Sequence, residues 1–109
     1  MSKTADEVKP NFGPVYAAAL YPELAQICVA RGYALAVHGS LARDFDLIAI
    51  PWVENPGTPV QILRAIMEKF AVKIVDESQD KPHGRKAYSL SVGFGECAVD
   101  LSFMPVIVR

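Results

Sequence analysis

Two aspartates one residue apart, Asp44 and Asp46, open the apolar run Phe45, Leu47, Ile48, Ala49, Ile50, and a third, Asp100, interrupts the run Val99, Leu101, Phe103. In an extended strand, residues two apart point to the same side about 6–7 Å from each other. Asp44 and Asp46 therefore aim together at one side of a strand that is otherwise apolar. Two carboxylates in such a place repel each other and resist losing water unless they lie at an open edge or share a cation. Asp100 points away from the face formed by Val99, Leu101 and Phe103, between Ala98 and Ser102, whose small side chains leave room for a ligand. Three carboxylates converging from two strands suit Mg²⁺ (or Mn²⁺), which takes oxygen ligands and keeps waters and substrate phosphates in its shell. The plain alternative for an acid pair at a strand start is solvated loop chemistry.

Just before the pair stands His38-Gly39-Ser40. A strand ending in Gly-Ser lets a phosphate approach the backbone closely, with N–H groups and a hydroxyl as donors, although turns use the same two residues for their own geometry. The combination with the acids is more specific than either part. Further along, His83-Gly84-Arg85-Lys86 gathers two cations and an imidazole in a glycine-containing loop, a set that suits either a phosphate clamp or a solvated loop. Arg43 reads as a counter-charge to the aspartates rather than a phosphate ligand, His38 as a satisfied strand-end histidine ahead of a pocket-lining one, and Trp52, beside Pro51, as a core or rim residue rather than a base-stacking platform.

The elements that position these residues follow from periodicity and punctuation. Residues 1–13 read as a flexible N-terminal tail, and residues 14–109 as a single domain. Pro22 predicts a break near Tyr21 and a new helix over 22–31, with Leu24, Ile27 and Cys28 on one face and Gly32 as the left-handed residue past its end. Strands are expected over 33–37 and 44–50, the second apolar on both faces past Asp46 and so read as a central strand covered on both sides. Thr58-Pro59-Val60-Gln61 predicts a capping box with proline at the first helical position, opening a helix that carries Ile62, Leu63, Ile66, Met67 and Phe70. A third strand follows over 72–75. A hairpin of strands 86–92 and 97–103 then turns at Gly93-Phe94-Gly95. Most connections are too short for parallel crossovers, so the expected fold is α+β: a mixed, largely antiparallel sheet of about five strands with helices packed against it.

Bulk properties bound the reading. The chain has 109 residues, 51% of them hydrophobic, enough for one core. Its 11 Lys+Arg against 12 Asp+Glu give no global pull toward duplex nucleic acid. No apolar run approaches the ~20 residues a bilayer helix needs, and the polar opening is no secretory signal, so a cytoplasmic protein is expected. Cys28 and Cys97 sit in separate apolar stretches and read as reduced, buried thiols.

Taken together, Gly39-Ser40, Asp44-Phe45-Asp46-Leu47 and Val99-Asp100-Leu101 resemble the pattern of the nucleotidyltransferase superfamily, the polymerase β-like fold, over roughly residues 33–104. That pattern is a strand, a Gly-Ser turn, an acid-x-acid pair on the next strand and a third acid on a later one. Gly39-Ser40-Leu41-Ala42-Arg43 is similar to the turn of the minimal, single-domain members. The piece from His38 to Trp52, with Lys81-Pro82-His83-Gly84-Arg85, looks like small uncharacterised phage and prophage proteins of the superfamily, which implies host cytoplasm if the chain is phage-encoded.

The resemblance implies Mg²⁺-dependent transfer of a nucleoside monophosphate from a nucleoside triphosphate to an acceptor. Asp44 and Asp46 would bind the metals that orient the triphosphate, Asp100 would hold the metal at the acceptor hydroxyl, and Gly39 and Ser40 would contact phosphates, with His83, Arg85 and Lys86 as further phosphate ligands. It also implies an alternative, a catalytically silent nucleotide- or metal-binding module, or an antitoxin-like partner of a HEPN-type toxin. One departure stands out: only Leu41, Ala42 and Arg43 separate the turn from Asp44, where the family has a longer segment whose helical turn helps cradle the triphosphate.

Overall fold

The structure, a computed structural model, describes residues 13–41, 44–81, 84–91 and 98–106. In chain order it runs α1 (Gly13–Val29), β1 (Tyr33–His38), β2 (Phe45–Pro51), α2 (Pro59–Lys69), β3 (Lys73–Lys81), β4 (Arg85–Ser91) and β5 (Ala98–Phe103). The five strands form one sheet in the order β1-β2-β5-β4-β3. β2 and β5 are parallel and every other neighbouring pair is antiparallel. The fold is therefore α+β with a mixed, largely antiparallel sheet, as the spacing of the elements predicts. No helix among the described residues is long and apolar enough to cross a membrane.

Strict alternation builds the core. Tyr33 and Leu35 of β1, Phe45, Leu47 and Ala49 of β2, Val99, Leu101 and Phe103 of β5 and Leu90 of β4 turn to one face. There they meet Leu24 and Cys28 of α1 and Ile62, Leu63 and Ile66 of α2. Phe103 sits at the centre of an aromatic stack, its ring edge-on to Tyr33 and to Tyr88, each at 5.7 Å between centroids. Burial pushes the Cys28 thiol up to about 11, so the cysteine behaves as a small core hydrophobe. Cys97 and the Gly93-Phe94-Gly95 turn lie outside the described residues, but the antiparallel register of β4 on β5 is that of the expected hairpin.

Three expectations are corrected. α1 does not break at Pro22 but continues through it. An interior proline removes one backbone hydrogen bond and costs about 3 kcal/mol. Against that, Leu20 and Tyr21 before it pack on the core, and Leu24 and Cys28 after it are buried, each buried apolar side chain contributing roughly 1.5–3 kcal/mol. The Tyr21 hydroxyl also donates to the Leu35 carbonyl at 2.7 Å, clamping the helix to β1. Packing on both sides of Pro22 outweighs the proline. The second correction concerns β2, which is central in the sheet but covered on one face only: opposite the core, Ile48 is half-buried and Ile50 is 43% exposed. The third is β3, which extends through Lys81 rather than ending near Val75. As an edge strand it pairs on one side only, so its polar second half needs no apolar alternation to stay in the sheet.

Other punctuation behaves as the residue types dictate. Gly32 takes φ +90 past the end of α1, where an added Cβ would lie 2.5 Å from a Val53 methyl. Thr58 caps α2, its hydroxyl accepting from the Gln61 N–H at 3.2 Å while the Gln61 side chain accepts from the Thr58 N–H at 3.0 Å. Because this reciprocal cap satisfies two otherwise orphan donors, Thr58→Ala is expected to lower stability by about 1 kcal/mol. Urea unfolding should show a lower midpoint with an unchanged slope.

Candidate functional site

The face of the sheet away from the helices carries the predicted chemistry. His38 of β1 pairs with Asp46 of β2, Asp46 with Asp100 of β5, and Asp100 with Ser89 of β4. Four polar residues thus stand side by side in one row across four strands. One step along the strands, the next row is Ala36, Ile48, Ser102 and Ala87. A cavity of about 350 Å³ opens on this face, lined by His38, Asp46, Asp100, Ser89, Ser102, Ala87 and Arg85.

The electrostatics centre on the two carboxyl groups. Partial burial raises the pKa of Asp46 above its ordinary 3.8, and a hydrogen bond to Asp100 and the charges of Asp100 and Asp44 raise it further, while His38 opposes the shift. Asp46 and Asp100 thus form an acid pair whose like charges and close contact favour the protonated form of Asp46. Ser89 Oγ donates to Asp100 Oδ1 at 2.8 Å.

Gly39 explains how Asp46 fits. It has φ +75, and a Cβ there would lie 2.5 Å from Asp46 Oδ2, so the Asp46 carboxylate occupies the space a side chain would need. Leu41, with φ 57, adopts the left-handed conformation that costs a non-glycine residue about 1–2 kcal/mol, and its side chain packs against the core. The start of the β1–β2 connection is therefore held at two points, Gly39 against Asp46 and Leu41 against the core.

A divalent cation fits part of this arrangement. A cation between Asp46 and Asp100 would relieve their repulsion, and Mg²⁺ is commonly held by one or two carboxylates plus substrate phosphates. Asp44 is half-exposed and does not line the cavity, though its charge reaches Asp46. Among the described residues no group of three His, Cys, Asp or Glu side chains is arranged to hold a metal ion. Asp46 and Asp100 are the cavity-lining carboxylates available to a cation.

Of the other residues singled out from the sequence, Arg85 reaches the cavity, while Lys86 and Ser40 do not line it. Gly39 contacts Asp46 from the turn. His83 and Arg43 lie outside the described residues. His38 lines the cavity, and Trp52 is 64% exposed, at the rim rather than in the core. Ser89 and Ser102 are the functional candidates that sequence reasoning passed over. Their signal is a hydroxyl on the open-face side of an apolar strand: Ser89 beside Leu90, and Ser102 between Leu101 and Phe103. No family model matches the chain, and no curated protein or solved structure matches it.

The raised Asp46 pKa sets a pH dependence. A carboxyl whose folded-state pKa lies above its ordinary 3.8 contributes stability that is complete below that pH and is lost as pH rises through the raised value. Asp46→Asn stays neutral and still donates to Asp100. In chelator near neutrality its melting temperature should therefore exceed that of the wild type, with the gap closing as pH falls toward 3.8.

Proposed function

We propose that this chain is a metal-dependent nucleotidyltransferase, transferring a nucleoside monophosphate from a nucleoside triphosphate to an acceptor. The observation that carries the reading is the register of Asp46 on Asp100 across parallel strands beside the Gly39 turn. That is the juxtaposition which the resemblance of Gly39-Ser40, Asp44-Phe45-Asp46 and Val99-Asp100-Leu101 to the superfamily implies. It is supported by a cavity with carboxyl groups at one end and the Arg85 guanidinium among its lining groups.

In this reading Asp46 and Asp100 would hold Mg²⁺ (or Mn²⁺), which would neutralise phosphate charge and polarise the phosphorus centre. Ser89 donates to Asp100 Oδ1, steadying the carboxylate that would hold the ion; the acceptor hydroxyl, made more acidic at that ion, would give its proton to solvent. Arg85 binds phosphate oxygens, a task its planar, permanently charged guanidinium suits. His38 adds a donor at the β1 end of the row.

The alternative, binding without turnover, as a nucleotide- or metal-binding or antitoxin-like module, draws on the position of Asp44. The acid expected to complete the metal set lies outside the cavity, and the connection that should cradle phosphates is three residues long.

Mg²⁺ together with a nucleoside triphosphate is expected to raise the melting temperature by mass action on the folded state. An unchanged melting temperature at millimolar metal and nucleotide would sink the catalytic and the nucleotide-binding readings. Pyrophosphate release then separates them. Turnover that disappears in Asp46→Asn supports transfer, whereas stabilisation by metal and nucleotide with no pyrophosphate released in the wild type supports the silent module.

A further inference from the structure

Ser102 is 6% exposed, yet it lines the cavity beside Asp100. Its hydroxyl has no hydrogen-bond partner among the described residues. A buried, unsatisfied hydroxyl is costly, and where one faces a cavity it marks a place for a ligand or an ordered water. Its row neighbours, Ile48 and Ala87, offer it nothing polar. Beyond Ala87 comes Arg85, whose guanidinium lines the same cavity and has no carboxylate partner among the described residues. From the acid pair the cavity therefore presents, in order, a hydroxyl and a cation. Ser102 lies two residues past Asp100 on one strand, a step of about 6–7 Å, and Arg85 lies four residues from Ser89 on the next, about 13 Å, a span that a triphosphate bridges with the long Arg85 side chain reaching back along the strand.

We infer that this cavity is a polyphosphate channel in which the chain runs from the Asp46–Asp100 end along Ser102 and Ala87 to Arg85, rather than over the Gly39-Ser40 turn. The inference rests on the metal-dependent reading above and adds the direction and the ligands of the phosphate chain. It also accounts for the three-residue connection to Asp44: donors on the sheet floor take over from the missing cradle. Asp46 already fills the space at Gly39, and Ser40 does not line the cavity, so the turn is poorly placed to hold phosphates as well.

Calorimetric titration of the full chain with inorganic tripolyphosphate and with orthophosphate, each with Mg²⁺, tests this. Ser102→Ala should weaken tripolyphosphate about tenfold, the worth of one hydrogen bond to a charged group, and leave orthophosphate within about twofold. Arg85→Gln should weaken tripolyphosphate by at least about tenfold, and Ser40→Ala should change it by less than about twofold. Because the Ser102 hydroxyl is unpartnered, Ser102→Ala should melt at or above the wild-type temperature without ligand, so weaker binding would not reflect misfolding. Wild-type affinity in Ser102→Ala and Arg85→Gln alongside a loss in Ser40→Ala overturns the channel while leaving the metal site intact. Tripolyphosphate binding no tighter than orthophosphate in the wild type overturns it too. If Mg²⁺ with either anion fails to bind the wild type, the underlying metal reading fails together with the channel.

Discussion

Two carboxyl groups held next to each other at the middle of a sheet are the constraint around which the rest of this molecule is arranged. The β2–β5 register puts Asp46 beside Asp100, and no rotation of either strand can separate them without turning Phe45, Leu47, Leu101 and Phe103 out of the core. A one-residue slip in a strand moves its whole side-chain set to the other face. The repulsion between the acids is therefore imposed by the burial of their sequence neighbours. What the fold can adjust is how that repulsion is relieved. Protonation, which the raised pKa of Asp46 favours, and the Ser89 hydroxyl on Asp100 are the means within the chain.

That constraint explains why both helices lie on one side. α1 and α2 cover the Phe45, Leu47 and Ala49 face of β2, and the opposite face is left with the polar row, the cavity and the half-covered Ile48 and Ile50. A helix laid over the second face would have to bury the acid pair with its apolar stripe, and charged groups are expensive to desolvate without partners. The clamp that keeps α1 in place acts from the other side: Tyr21 bonds to the β1 carbonyl of Leu35, and Tyr33 reaches the Gly57 carbonyl at 2.8 Å just before α2. These tyrosines tie the helical layer to the β1 edge and leave the other face of the sheet open.

Much of this was legible from residue order alone. Element order, the capping box at Thr58, the left-handed Gly32, the inward set of β2 and β5 and the shared side of Asp46 and Asp100 all follow from short-range rules whose causes lie within a few residues. What escaped sequence reasoning was set by contacts between distant segments. Pro22 stays inside a helix because residues on both sides of it pack against strands formed later in the chain. β3 runs long because pairing with β4, not its own alternation, holds its polar half. The apolar second face of β2 read as covered, since nothing in Ile48 or Ile50 says that the helices would all go to the other side. At the site, the Gly39-to-Asp46 contact and the role of Ser89 depend on strand register, which spacing along the chain does not encode.

The local costs in this structure fall at one end of the sheet. Gly39 and Leu41 take left-handed backbone, Asp46 has its pKa raised beside Asp100, and Ser102 is buried without a partner among the described residues, all at or near the end of β1, the start of β2 and the rows of β5 and β4 beside them. Strain and unsatisfied polar groups persist only where the surroundings over-determine them. Here the surroundings are the best-packed part of the core: Phe45, Leu47, Leu101 and Phe103 lie directly beneath the same rows and are almost wholly buried. If these features were incidental, simple substitutions would remove them, such as Ser102 to alanine or Asp46 to asparagine, each compatible with its strand. Their grouping around one cavity, above side chains that are almost wholly buried, makes that cavity the part of the fold whose features the core alone does not account for.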